Sequence, residues 1–327
     1  MAYRVGTGSV CQAAKQSAWG TPATPDTLIN MTSESINVTV EKGDEGNLLA
    51  SKTANQRDLM SIKVDGSIST VLRPEFADWL FETALGAVSG TTGAKVYALA
   101  SPNTELPVST FVLSRGGIVK TYPDATIKSL KISAAAQDYV KVDIDLAGVK
   151  ELSAGEEGAK TIQSLSFTLP SYRCTQATLY YGDGGTSKAS LTQKLCVESC
   201  DITIDNGIEE SPATYCTGLY AGRPVMGLRS VTVDFSIPYS DAMDTFKKDY
   251  YLDEESPCVA LKLTFTTSNA DENIEVYLPY VNITSAGNNV GGPSIIESSF
   301  SGEALSKGST EPITVTVNHD TEEGEED

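Results

Sequence analysis

Histidine is nearly missing from this chain: among 327 residues only His319 carries an imidazole. It sits in Val317-Asn318-His319-Asp320, beside an acidic terminus, which leaves Ser-His-Asp and Cys-His catalysis without a base and deprives zinc of its usual nitrogen ligand. Cysteine is also scarce. Six are too few for a disulfide scaffold at this length, and five of them (Cys174, Cys196, Cys200, Cys216 and Cys258) lie in the second half. Cys196 and Cys200 fall on one face of a strand without the CxxC pairing of a metal site, so reduced, part-buried thiols are expected. No apolar run reaches the roughly 18–20 residues a membrane helix needs. The opening residues 1–8 lack the apolar core of a secretory leader, so synthesis and assembly in a cytoplasm are expected. The Asn-x-Thr patterns at Asn30, Asn37 and Asn282 are then not expected to carry sugar. Positive charge is short as well: Lys+Arg 24 against Asp+Glu 43 gives a net charge of -19. Residues 320–327 contribute six of those negative charges and the body carries the other -13. Such a chain should repel phosphates, not bind nucleic acid tightly.

What the chain does have is internal similarity. Glu34-Ser35-Ile36-Asn37-Val38-Thr39-Val40-Glu41 returns as Glu198-Ser199-Cys200-Asp201-Ile202-Thr203-Ile204-Asp205, 164 positions on. Ile62-Lys63-Val64-Asp65 returns as Val231-Thr232-Val233-Asp234, and Tyr122-Pro123-Asp124-Ala125-Thr126-Ile127 as Leu278-Pro279-Tyr280-Val281-Asn282-Ile283. The matches keep their order, at offsets of 169 and 156. The period far exceeds the roughly 20–50 residues of a solenoid unit, so two copies of one domain are expected.

Each copy reads as strand, long polar loop, strand and short helix. Ile36, Val38 and Val40 alternate with polar residues, the pattern of a half-buried strand. Residues 43–60 and 207–228 are long polar connections at matching places. In 73–86, Pro74 suits the first helical turn, Gly86 the stop, and Phe76, Trp79, Leu80 and Ala84 form one stripe. The counterpart at 241–252 places Ala242, Phe246 and Tyr250 on a stripe. Further strands are expected near 94–99, 109–115, 125–133, 138–148 and 161–169, and then across 175–181, 190–195, 261–267, 274–278, 281–284, 294–303 and 312–317. Residues 1–30, rich in Gly, Ala, Ser, Thr and Pro around Trp19-Gly20-Thr21-Pro22, read as an extended arm lying on a neighbour.

The expected fold is mainly β: two tandem antiparallel β-sandwich or barrel domains, each with one short α-helix, preceded by the arm. The boundaries are 1–30 for the arm, 31–170 and 171–318 for the domains, and 319–327 for an acidic tail. No enzyme emerges from this layout. No GxxxxGK[ST] occurs, and Gly116-Gly117, Gly184-Gly185 and Gly291-Gly292 read as turns. Carboxylates are plentiful, but Asp143 and Asp145 alternate along a strand and Asp44 and Glu45 lie in a loop, so a solvated surface explains them better than a paired-acid hydrolase. No catalytic residue, cofactor or metal site is expected.

The pattern resembles the major tail tube proteins of long-tailed bacteriophages, whose fold is shared with the type VI secretion tube protein. The resemblance rests on Trp19-Gly20-Thr21-Pro22, Ser33-Glu34-Ser35-Ile36, Asp65-Gly66-Ser67-Ile68, the helix at 74–86, Tyr277–Thr284 and Ile313–Asn318, in that order across most of residues 8–318. It implies domains closing into sixfold rings that stack into a tube, with tape-measure protein and then double-stranded DNA passing through. Tail terminator, baseplate or tip proteins, and a sheath if the tail contracts, are the implied partners, with no membrane. The protein would reside in the virion tail after assembly in the host bacterial cytoplasm. The arm and long loops would touch the neighbouring ring, which nominates Trp19, Asp44, Glu45, Asn47, Lys52, Arg57, Tyr215, Tyr220 and Arg223. Asp143, Asp145, Asp201 and Asp205 are candidates for an acidic lumen. Duplication suggests three chains per ring, with a hexamer of whole chains as the alternative. Rival readings are a surface β-adhesin or decoration protein and, less favoured, a carboxylate-pair hydrolase.

Overall fold

The computed structural model describes residues 6–44, 57–91, 93–101, 104–209, 218–220, 222–255, 257–269, 272–289 and 295–319. In chain order its elements are β1 (Val10–Lys15), β2 (Thr27–Ile29), β3 (Met31–Glu34), β4 (Asn37–Asp44), β5 (Arg57–Val71), α1 (Pro74–Leu85), β6 (Gly86–Thr91), β7 (Ala94–Leu99), β8 (Ser109–Arg115), β9 (Ile118–Ala135), β10 (Lys141–Gly148) and β11 (Leu152–Ser153). The second half follows with β12 (Thr178–Asp183), β13 (Gln193–Leu195), β14 (Ser199–Asp205), β15 (Ile208–Glu209), β16 (Val225–Met226), β17 (Ser230–Pro238), α2 (Asp241–Tyr250), β18 (Val259–Thr266), β19 (Asn273–Asn289), β20 (Glu297–Ala304) and β21 (Thr314–Asn318). The protein is mainly β, built on one large antiparallel sheet with two α-helices.

Two long strands organise it. The C-terminal half of β9 lies in the order β4–β5–β10–β9, and the C-terminal half of β19 in the order β14–β17–β20–β19. The N-terminal halves of the same strands pair elsewhere: β9 with β8 and β11, β19 with β18 and β21. Beyond these lie β1 and β2 in the first half, and β12 and β13 in the second. Two ladders join the halves. β9 pairs with β14 from Ser199↔Ala135 to Asp205↔Ser129, and the β6–β7 hairpin pairs with β21.

Alternation decides which face is inward. Ile68, Leu130, Ile132, Val142, Ile144, Ile202, Ile204, Val233 and Phe235 all point into a core that runs through both halves. Gly66 permits a close crossing: a Cβ there would fall 2.5 Å from Ile36 Cα, with the backbone at φ 144. α1 begins with Pro74 in its first turn and ends on Gly86 at φ 91, and its expected stripe of Phe76, Trp79, Leu80 and Ala84 is buried. Trp79 meets Phe111 edge-on at 5.6 Å between ring centroids. In α2 the buried pair is Met243 and Phe246 with Ala242 exposed, so the stripe follows the i, i+3, i+7 row through Tyr250 instead. Phe246 packs edge-on against Phe300 and Phe235.

Three further expectations are corrected. Residues 161–169 form no strand, because side chains take their backbone groups: Glu75 Oε1 accepts from Thr168 N and Leu169 N, Arg73 donates to Leu169 O, and Gln12 exchanges two hydrogen bonds with Gln163. The arm expected to lie on a neighbour packs on its own chain over Val10–Lys15. β1 pairs with β2 and β8 and buries Cys11 and Ala13 in the chain's own core. The first long loop is narrower than 43–60, since the β4–β5 ladder extends to Asp44↔Arg57.

Candidate functional site

The face of the sheet opposite the core is polar from end to end. Antiparallel register places Asp143 of β10 across from Lys131 of β9, Lys131 across from Thr203 of β14, and Asp201 across from Asp234 of β17. All four carboxylates nominated for a lumen, Asp143, Asp145, Asp201 and Asp205, lie on this one face and none is buried. Short donors hold them: Ser69 Oγ donates to Asp143 at 2.5 Å, Ser129 Oγ to Asp145 at 2.7 Å, Gly207 N to Asp205 at 2.8 Å. Lys131 Nζ sits 2.8 Å from Asp201 and is held above the usual lysine range by that hydrogen bond, against the cost of partial burial. Like charges directly opposite on neighbouring strands destabilise a sheet, and Lys131 offsets this for the Asp201–Asp234 pair.

A second cluster joins segments far apart in sequence. Ile62 N donates to Leu219 O at 2.7 Å, and Ile62 and Tyr220 form a parallel bridge. The Arg223 guanidinium lies 5.4 Å over the Trp19 ring, in cation–π range, and forms an ion pair with Glu105. A cavity of about 180 Å³ opens beside Arg223, lined by Leu106, Ile208 and Met226 among others. Arg223 and Trp19 are thus in contact, Tyr220 lies against β5 at Ile62, and Arg57 stands exposed on β5 opposite the Asp44 backbone. Glu45, Asn47, Lys52 and Tyr215, and the side chain of Asp44, lie outside the described residues.

Two groups at the joint between the halves escaped the sequence reading. Asn206, fully buried, donates from Nδ2 to Ala84 O and Ile127 O. Arg229 donates to Asn206 Oδ1 at 2.9 Å and to Leu85 O at 3.1 Å, with longer bonds to Ala84 O and Ala100 O. The pair satisfies carbonyls at the end of α1 that have no partner within the helix. Burial lowers the Arg229 pKa to about 10, and its partners are neutral oxygens. The only hint in sequence was an Asn and an Arg flanking the second long connection.

The other group is centred on Asp78 of α1. It accepts from Lys95 Nζ at 2.6 Å and Tyr97 OH at 2.8 Å, and His319 Nε2 lies 3.2 Å away. Burial pushes the Asp78 carboxyl up, but these three partners outweigh it and hold the pKa at about 2. Asp78 in turn raises the His319 pKa against the opposing effect of burial. The single histidine is therefore a tie between the end of β21 and α1. Among the described residues, no group of three His, Cys, Asp or Glu side chains is placed to share a metal ion.

An antiparallel sheet with a continuous polar face, edges of β4 and β19 that no strand among the described residues covers, and chemistry devoted to joining segments defines a structural assembly protein. The family model for the phage tail tube protein matches residues 6–304, and the chain belongs to that family. Its members are structural components of the virion tail, not enzymes. No curated protein sequence matches the chain.

Proposed function

We propose that the chain is a tandem pair of tube domains, 31–170 and 171–318, and that three chains supply the six domains of one ring. The observation that carries this is the recurrence of strand order. β4–β5–β10–β9 in the first half corresponds element by element to β14–β17–β20–β19 in the second, and β9 pairs directly with β14. Each half also spans its helix between the second and third of the matched segments. A joint made once within the chain is one that homomeric closure can repeat around a ring.

In this reading the polar face of the joined sheets lines the channel. Asp143, Asp145, Asp201 and Asp205 repel DNA phosphates, and the Ser and Thr hydroxyls around them keep the wall hydrated, so the genome slides without sticking. The tape-measure protein occupies the channel before DNA. Terminator and baseplate or tip proteins close the two ends, with a sheath outside if the tail contracts. The cluster of Trp19, Tyr220, Arg223 and the β4–β5 hairpin faces the next ring.

Negative-stain microscopy of the purified chain with symmetry analysis tests this. Stacked rings with threefold averages are expected. Rings with true sixfold symmetry would replace three chains by six, and persistent monomers at high concentration would reject the ring altogether.

A further inference from the structure

Inside the chain, the joint between β9 and β14 is complete. Ile202 and Ile204 of β14 are 1% and 0% exposed, and Leu85 at the end of α1 is 0% exposed. Among the described residues, the matching surfaces at the two ends of the sheet are open. No strand among the described residues pairs with the outer edge of β4 or with that of β19 beyond Val281. Val38 and Val40, which stand 164 positions before Ile202 and Ile204, are 36% and 43% exposed. Leu252, just past α2 as Leu85 closes α1, is 60% exposed. One end of the molecule thus carries an uncovered β14-like edge, and the other an uncovered β9-like edge beside an uncovered helix end.

We propose that these are the two halves of the same joint, closed by a second copy of this chain, and that it lacks the clamp that locks the internal one. The inference rests on the ring reading above and adds its contacts. Register follows from two bulges. The β9–β10 ladder skips Lys128, and the β19–β20 ladder skips Thr284, so the long strands align at an offset of 156. The first strands align at 164. Carrying Thr203↔Lys131 and Asp205↔Ser129 across gives Thr39 opposite Gly287 and Glu41 opposite Ser285. The antiparallel pairing satisfies backbone groups that an open edge leaves exposed and covers Val38 and Val40.

The locking groups are not repeated. Asp201 and Lys131, ion-paired in the internal joint, become Asn37 and Gly287. Asn206 becomes Lys42, and Arg229, just before the repeated strand, becomes Met60, which is 52% exposed. The external joint therefore has the ladder and the apolar contact but neither the salt bridge nor the guanidinium–amide clamp. Rings come apart into intact chains before the two halves of any chain separate.

Hydrogen exchange on wild-type tubes and on dissociated subunits reads this directly. Amides in 37–41 and 285–289 are expected to gain at least tenfold protection on assembly, while those in 199–205 are protected in both states. Free exchange at 37–41 or 285–289 in tubes that microscopy shows intact would overturn the joint and leave the ring reading standing. Absence of tubes would instead remove the ring reading. Register is read by mild oxidation of assembled Thr39→Cys/Gly287→Cys protein. Covalent species ending at three chains are expected, with little product from the shifted pair Thr39→Cys/Ser285→Cys. Equal cross-linking of the two pairs would overturn the register.

Discussion

At the residue scale, Arg229 is the clearest test of what binds the two halves. Its guanidinium is shared among Asn206 Oδ1 and carbonyls at the end of α1. Arg229→Met removes those donors from buried acceptors, a loss of about 1–3 kcal/mol that denaturant unfolding of dissociated subunits should record. An equal change at exposed Arg57 should cost far less. Trp79 is a packing residue: Trp79→Ala should cost about 3–5 kcal/mol by the same measurement. The Asp78–His319 pair gives the fold two pH limits. Asp78 is held at about 2, below its ordinary 3.8, so its contribution is full above 3.8 and is lost as pH falls toward 2. His319 is raised above 6.5, so its contribution is full below 6.5 and is lost as pH rises through the elevated value. The thermal midpoint plotted against pH should show the alkaline step in wild type and lose it in His319→Asn.

At the element scale, the hairpin of β4 and β5 runs on past Val64, where the ladder with β10 ends, and exposes Leu59 and Met60. Its ladder holds as far as Asp44↔Arg57, so replacing residues 45–56 by an Asn-Gly turn should leave the subunit folded. Circular dichroism should be unchanged, and microscopy should find single rings where wild type forms stacks. Elements of this kind were legible where the pattern was local. The alternation of Ile36, Val38 and Val40, the caps of α1 and the repeat of Glu34–Glu41 at Glu198–Asp205 all follow from side-chain spacing. What could not be read was partner choice. Residues 161–169 alternate like a strand, but Glu75, Arg73 and Gln12 reach their backbone first. Residues 10–15 look like part of an arm because nothing near them in sequence shows that β8, about 100 positions later, will pair with them. The Arg229 clamp was hidden for the same reason, since the carbonyls it reaches, Ala84 O, Leu85 O and Ala100 O, belong to the other half.

At the scale of the whole molecule, net charge and sheet topology act together. The charge of -19 could be spread evenly, but register gathers Asp143, Asp145, Asp201, Asp205 and Asp234 on the polar face, with Lys131 among them. Double-stranded DNA carries a phosphate charge about every 1.7 Å of its axis, so a tube wall made of this face meets it as a repulsive cylinder. At physiological ionic strength that repulsion reaches about 8 Å, enough to keep a layer of water between wall and DNA. Replacing Asp143, Asp145, Asp201 and Asp205 by Asn removes the Lys131–Asp201 ion pair but keeps the Arg229 clamp of the internal joint, and rings should still close, because none of these side chains is buried and Asn keeps an acceptor for the Ser hydroxyls. Passage should respond more. Virions carrying the quadruple variant should eject DNA more slowly at low salt and approach the wild-type rate as salt rises. The corresponding Lys variant should retain DNA and release it with a steep salt dependence. Ejection followed by dye fluorescence across a salt series separates the outcomes. If the Asn and Lys variants eject at the wild-type rate at every salt concentration, this face does not line the channel.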